Sequence, residues 1–319
     1  MKSLIIACLI LFGFLCACEK QVDGRVSIAI LTPASHPSLE QIEKGFVNTM
    51  KAANPGKYRF VTYNAQGNKT LMRSEIEEIV RNNYALVFTI GTTTSQMTTE
   101  CFTKKELAIP IVFASVNDPF GFHIVQSEAS SGNMVTGVKE LLKLNEELAA
   151  LLSYKPQIKT ILLVYNPAEP GMVKDQQEMA QLLKEKQIIL KSVEVFQTNE
   201  LLAKVTPFMS QVDALIVLKD NTVVAGIDAL VKLCDRHQVP LMASDLDSPD
   251  KGAAFGYGVY EFDFGVESAK KALQIINEKI PPSDIPVTPV SNFILRINPA
   301  AAERQGIDKS KIYQQRVRQ

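Results

Sequence analysis

Two stretches of the chain set the same kinds of polar residue behind a short apolar run. The first reads Ile109-Pro110-Ile111-Val112-Phe113-Ala114-Ser115-Val116-Asn117-Asp118-Pro119, the second Val239-Pro240-Leu241-Met242-Ala243-Ser244-Asp245-Leu246-Asp247-Ser248-Pro249. Each is a buried-strand pattern that runs into Ala-Ser and then a polar turn containing Asp. A second pair precedes them in the same order: Thr89-Ile90-Gly91-Thr92-Thr93-Thr94 and Leu218-Lys219-Asp220-Asn221-Thr222. Each leaves hydroxyl, amide or carboxylate groups where a strand gives way to a helix. Hydroxyls and the free backbone N–H groups of a helix start suit a carboxylate or another anion. Carboxylates suit an ammonium group.

The elements that must position these groups alternate between two periods. Short β-branched runs at Val26–Leu31, Tyr58–Asn64, Ala85–Ile90, Ile111–Val116 and Met134–Val138 read as strands. They are apolar without clean alternation, as parallel strands covered on both faces are. Longer amphipathic stretches separate them; in Leu39–Ala53, Ile42, Phe46 and Met50 recur at steps of four and form one apolar stripe. A second series repeats the layout, with strands at Thr160–Tyr165, Leu190–Phe196, Ala214–Leu218, Pro240–Ser244 and Ala253–Val259. Its helices are Lys174–Lys186, Leu201–Ser210 and Val223–His237. A helix over Phe264–Glu278 ends before Pro281-Pro282, and strand Phe293–Ile297 follows. The pattern predicts an α/β protein of two doubly wound parallel-sheet lobes joined by a hinge. Lobe 1 is expected over 26–138 plus about 258–282, lobe 2 over 139–257 plus about 283–300, and a C-terminal tail over 301–319.

Ligands of open parallel sheets bind beyond the carboxyl ends of the strands, so two facing sheets enclose a cleft. Lobe 1 offers His36, Asn64, Thr92, Thr93, Thr94, Ser115, Asn117 and Asp118 there. Lobe 2 offers Tyr165, Asn166, Glu169, Asp220, Asn221, Thr222, Ser244, Asp245 and Asp247. Asp118, Glu169, Asp220 and Asp245 are the acceptors for an ammonium group. No Arg lies at these strand ends and Lys219 is the only Lys, which disfavours a strongly anionic ligand and favours a zwitterion. Tyr63, Phe120, Phe122, Tyr165, Tyr257 and Tyr260 are candidates for apolar or stacking surface. For any single Asp, Asn, Ser or Thr, capping a helix is the plainer role; the set carries the signal.

Other chemistry finds little support. His36, His123 and His237 are isolated, and no Gly-x-Ser-x-Gly elbow, P-loop or Gly-x-Gly-x-x-Gly motif follows a strand. A hydrolase or isomerase is therefore disfavoured, and no cofactor or metal is expected. Lys plus Arg and Asp plus Glu both number 34, and this balance with no basic run argues against nucleic acid. Cys101 and Cys234 lack metal or disulfide spacing and read as buried structural thiols.

The N-terminus reads as an address. Lys2 precedes the apolar run Leu4 to Leu15, shorter than the ~20 residues that span a bilayer and suited to a secretory signal. Leu15-Cys16-Ala17-Cys18 resembles the bacterial lipobox, with Cys16 where a small residue such as Ala or Ser is usual. Residues 1–17 are expected to form a lipoprotein signal cut before Cys18, the lipidated residue, with 18–25 as a tether.

Over nearly the whole mature chain, from about Val26 to Gly306, the sequence resembles the ABC-transporter substrate-binding lipoproteins that take up tryptophan, tyrosine or phenylalanine. The marks are His36-Pro37-Ser38-Leu39-Glu40 leading to Gly45-Phe46, Tyr63-Asn64-Ala65-Gln66-Gly67, and Asn133-Met134-Val135-Thr136-Gly137-Val138. Tyr165-Asn166-Pro167-Ala168-Glu169-Pro170, Asp220-Asn221-Thr222 and Ala243-Ser244-Asp245 continue them. The resemblance implies a type I periplasmic-binding fold, hinged closure, a partner permease and ATPase, a monomeric receptor and no catalysis. Two positions depart from the family: Gly171-Met172 stands where it has Asn-Ser, and Thr92-Thr93 where many members have Thr-Pro. The alternatives are a receptor for another small metabolite and a sensor that docks the same lobes on a signalling receptor.

Overall fold

A computed structural model describes residues 24–316. The expected signal, most of the expected tether and the expected lipidation site Cys18 lie outside the described residues, as do 317–319.

Lobe 1 begins with β1 (Val26–Thr32), α1 (Pro37–Ala53), β2 (Tyr58–Asn64), α2 (Lys69–Asn82), β3 (Leu86–Ile90), α3 (Thr92–Lys104), β4 (Ile111–Val116) and β5 (Val135–Lys139). Pro37 opens α1 at a position where its missing N–H has no intrahelical partner to lose. The stripe Ile42, Phe46 and Met50 is fully buried, with Phe46 stacked on Phe88 of β3. The chain then passes to α4 (Leu144–Tyr154), β6 (Thr160–Tyr165), α5 (Met172–Glu185), β7 (Ile189–Glu194), α6 (Leu201–Val205), β8 (Ala214–Val217), α7 (Asn221–Val224), α8 (Ile227–His237), β9 (Leu241–Ala243) and β10 (Phe255–Gly258). It returns to lobe 1 as α9 (Glu261–Asn277) and ends in β11 (Thr288–Pro289), β12 (Ile294–Ile297), α10 (Pro299–Arg304) and α11 (Lys309–Arg316).

The sheets are topological twins. Read from the β2 edge the first runs β2-β1-β3-β4-β5-β11, and from the β7 edge the second runs β7-β6-β8-β9-β10-β12. Each reverses strand order beside its first strand, between β1 and β3 and between β6 and β8. Apolar cores cover both faces of each sheet, so β3 and β8 are buried throughout. This is the two-lobed architecture expected, with one addition: β12 pairs antiparallel with β10.

Two assignments need correction. Residues 283–300 do not all belong to lobe 2, because Thr288–Pro289 pairs with β5 and extends the first sheet. Residues 301–319 are not simply a tail, because Ala302, Ile307 and Ile312 fill the lobe 2 core. The chain therefore crosses between lobes after β5, after β10 and between β11 and β12. The expected helix over Val223–His237 is broken in two at Ala225-Gly226, where a side chain on Gly226 would run into Leu201. The one over Leu201–Ser210 tightens to a 3-10 turn from Thr206, since Pro207 has no N–H for the α-helical ladder. Helix α9 is clamped to α1 by Gly45 and Gly265: a Cβ on either would collide with the other helix's backbone at Phe262 or Ile42. Cys234 is buried as expected, while Cys101 is only partly so, and both thiols are free.

Candidate ligand-binding site

The crests of both sheets meet across a cavity of about 60 Å³. The strand-end rule brings nine of its residues here: His36, Thr92, Thr93, Ser115, Asn117, Glu169, Asp220, Asn221 and Asp245. The cavity adjoins a wider groove of about 550 Å³ toward the outside, which shares Thr93, Glu169 and Asn221 and adds Asn166, Thr222, Met72 and Phe196.

Lobe 1 presents open helix starts. Gly91 precedes α3 in a left-handed conformation (φ 86°) without a side-chain cap, and His36 precedes α1 without one. The first-turn N–H groups of a helix lack intrahelical acceptors and carry partial positive charge. The Thr92 hydroxyl meanwhile accepts from the Asn117 N–H at 3.1 Å.

Lobe 2 presents filled carboxylates. Asp220 is fully buried and accepts from the N–H groups of Val223 (3.0 Å) and Asn166 (2.5 Å). Burial and the neighbouring Glu169 push its carboxyl up to about 7. Glu169 accepts from the N–H and hydroxyl of Thr222, both at 2.9 Å, and from the Asn221 amide at 2.8 Å. Asp245 accepts from the N–H groups of Asp247 and Ser248 and from the Ser248 hydroxyl. The lobes touch directly where His36 Nε2 lies 3.1 Å from Asn221 Oδ1 and where the Asn117 amide donates to Asp175 at 3.1 Å. Burial holds the His36 imidazole below its ordinary value, against the opposing Asn221 bond.

Six expected site residues lie elsewhere, among them Asp247, which Ser38 bonds. Asn64 accepts from Gln66 N–H and donates to Ser35. Thr94 is buried and donates back to Ile90 and Gly91 carbonyls. Asp118 takes Gly121 N–H and pairs with Lys174 on the exposed rim. Tyr165 donates to Glu194, and Ser244 donates to buried Glu147 behind the cleft. Among the aromatic candidates, Tyr63 packs on Tyr84 and Tyr257 on Phe293. Phe196, not singled out in the sequence, edges the groove instead.

The cavity also holds Ser38, Glu140 and Glu261, which the strand-end reading passed over, and Lys219, which it placed at a strand end without a role. Lys219 Nζ stands 2.8 Å from Glu140 and 2.7 Å from Glu261 and 4.7 Å from the Phe264 ring centre. Burial works against its charge, but the two carboxylates overcome it and hold the ammonium protonated well beyond neutrality. Glu140 follows β5 and Glu261 opens α9 after β10, so the same rule applied to the fifth strand of each lobe would have found both. Among the described residues no group of His, Cys, Asp or Glu is placed to hold a metal ion, and no helix is long and apolar enough to cross a membrane.

Known proteins share this fold. The profile of the family described as ABC transporter substrate binding protein matches residues 27–315. An uncharacterized protein of Rickettsia prowazekii (strain Madrid E) is 28% identical over 300 residues, 94% of this chain and 89% of that one. A tyrosine-binding protein of Clostridioides difficile (strain R20291) is 24% identical over 285 residues, 88% of this chain and 81% of that one. The solved structure of an ABC domain from Streptococcus pneumonia in complex with L-Trp superposes with a TM-score of 0.82 at 25% identity, covering 89% of this chain and 96% of that one. The match runs through both lobes and every wall of the cleft, and the chain belongs to the family of ABC transporter substrate-binding proteins.

Proposed function

We propose that this protein is the extracytoplasmic receptor of an ABC importer, tethered through lipid on Cys18, and that it captures an amino acid, an aromatic one, for delivery to a permease and ATPase. The observation that carries the reading is the polarity of the cavity: open helix starts on lobe 1 face a carboxylate-rich wall from lobe 2 and the crossings. A zwitterion has one charge for each wall.

Size supports the same choice. By the measure in which one water needs roughly 10–15 Å³, the cavity of about 60 Å³ has room for an amino-acid head group and not for a large side chain. The adjoining groove of about 550 Å³, with Met72 and exposed Phe196 on its walls, offers the side chain an apolar path outward. The tyrosine-binding relative and the L-Trp complex support an aromatic side chain.

A thermal-shift screen of amino acids, sugars and other small metabolites tests this. A ligand that binds only the folded state at about 100 times its Kd adds about 2.7 kcal/mol. L-Tyr, L-Trp or L-Phe is expected to raise Tm by several degrees. Stabilisation by a sugar or an organic anion with no response to any amino acid overturns the reading.

A further inference from the structure

Three buried acceptor atoms around the cavity are short of donors. Glu140 Oε1 and Glu261 Oε1 are closed to solvent and both depend on the single ammonium of Lys219, at 2.8 and 2.7 Å. One ammonium thus serves two largely buried carboxylates, and Glu261 is only 4% exposed. The third atom is on an independent element. His36 is 7% exposed, and its Nδ1 is buried without a partner. Its tautomer follows from a relay. The Asn221 amide nitrogen donates to Glu169, so the amide oxygen faces the ring. His36 Nε2 must then carry the hydrogen, which leaves Nδ1 a bare acceptor. Asp220 and Asp245 differ, since backbone and hydroxyl donors fill their oxygens.

We propose that the cleft is built around a primary ammonium, which Glu140 and Glu261 hold beside Lys219 while His36 Nδ1 accepts a further hydrogen from the ligand. This rests on the cleft being the solute site, and within it moves the cation from the strand-end acceptors Asp118, Glu169, Asp220 and Asp245 to the two carboxylates at the lobe crossings. Two buried carboxylates that share one ammonium leave a negative charge uncompensated when both are ionised, which is costly, and a ligand ammonium supplies the missing cation.

Ligand capture then has a proton signature. Burial pushes the Glu140 carboxyl up to about 8, against the pull of Lys219; Glu261 and Asp175 act in the same direction as burial, and the Ser115 hydroxyl opposes it. A second cation beside Glu140 stabilises its carboxylate form and lowers this value. The acid proton leaves to the buffer as the ammonium docks, so binding at pH 7.5 releases protons.

Calorimetry decides the matter with L-Tyr, L-Trp and L-Phe, their decarboxylated amines (tyramine, tryptamine, phenethylamine) and their deaminated propionates. The amino acids are expected to bind and the propionates to bind at least 10-fold more weakly. Glu261→Gln should weaken amine-bearing ligands about 10- to 100-fold. Wild-type titrations in phosphate and in Tris should differ in apparent enthalpy, reporting proton release, and Glu140→Gln should remove that difference. Propionates that match the amino acids, buffer-independent enthalpies, or wild-type affinity in folded Glu261→Gln overturn the ammonium site and leave the amino-acid reading intact. Amines that bind through Glu261 while no amino acid binds uphold the site and overturn that reading. If none of the nine compounds binds, both fall. The buffer comparison uses unaltered protein and holds whether or not the variants fold.

Discussion

The helix that follows β3 and the one that follows β8 occupy the same place in twin sheets and end up chemically opposite. In lobe 1, Gly91 brings α3 to the cleft with its first turn uncapped by any side chain. In lobe 2, Asp220 caps α7 and Glu169 takes the Thr222 N–H. The first start offers donors, the second has consumed them and shows carboxylates. Position in the fold decides which residue reaches the cleft, while capping decides what that residue has left to offer a ligand.

A second pair sharpens the contrast. Ser115 and Ser244 follow equivalent strands, as do Asp118 and Asp247. In lobe 1 the pairing register shifts between Ala114 and Val116, and Ser115 adopts a left-handed conformation with φ 54°. A one-residue bulge reverses which face a side chain meets. Ser115 consequently lines the cavity, and Asp118 turns to Gly121 and Lys174 on the rim. In lobe 2, Ser244 is buried against Glu147, and Asp245 reaches the cavity instead.

The largest test of this contrast is Asp220→Ala. It removes acceptors from two backbone N–H groups at a fully buried position. Loss of the cap and an orphaned buried donor together should cost about 2–4 kcal/mol in urea unfolding. Asn is not expected to rescue, since its amide nitrogen would face one of those N–H groups. The pH dependence should change too. Asp220 titrates at about 7 in the fold, above an unfolded carboxylate at ~3.9, so the folded state holds the extra proton between the two. Its contribution is present below the unfolded value and lost as pH rises through about 7. The variant should therefore lose stability less steeply over that window. A loss under about 1 kcal/mol would show that the cap is not what separates the lobes.

Much of this was legible in the residues. The β-branched runs place every principal strand, with β6 matching Thr160–Tyr165 residue for residue, because buried parallel strands have no other use for such runs. The strand-end rule assembles most of the cavity for the same reason: topology, not side-chain detail, delivers those positions. The rest depends on backbone geometry that composition does not carry. Nothing in Ala114-Ser115-Val116 announces a bulge, so the parity of Ser115 and Asp118 relative to Ser244 and Asp245 stays hidden. Nor does the spacing of Glu140, Lys219 and Glu261 announce a cluster, since two crossings of the chain, after β5 and after β10, bring the carboxylates to the end of β8. The aromatic candidates missed because most sit on core faces, and Phe196 escaped because it lies just beyond β7 at the sheet edge.

Ser115→Val probes the bulge itself. A β-branched side chain in the left-handed region costs about 1–2 kcal/mol, and it also takes away the hydroxyl beside Glu140. Ser115→Gly should be close to neutral in stability, because glycine accepts that conformation freely. Denaturant melts of the two variants separate backbone strain from loss of the hydroxyl. Equal destabilisation in both would place the effect in the hydroxyl and leave the bulge without an energetic signature.

Asp118→Asn should do least, and its smallness is the point. Asn tolerates the left-handed conformation of Asp118 (φ 46°) and can still accept from Gly121 N–H. Only charge is lost, from a pair with Lys174 whose side chains are 38% and 68% exposed. Solvent screening limits such a pair to a few tenths of a kcal/mol. The Gly121 N–H, with Lys174 behind it, holds Asp118 below the usual carboxylate range. Its contribution is thus present above the unfolded value of ~3.9 and fades as pH falls through the folded one, so the variant should differ from wild type at neutral pH and converge on it in acid. Ligand affinity should stay within about twofold, a difference of ~0.4 kcal/mol, because Asp118 faces the rim. A large loss of affinity would mean that the lobe 1 turn reaches the ligand when the lobes move, and that the two strand-end turns are more alike in action than in geometry.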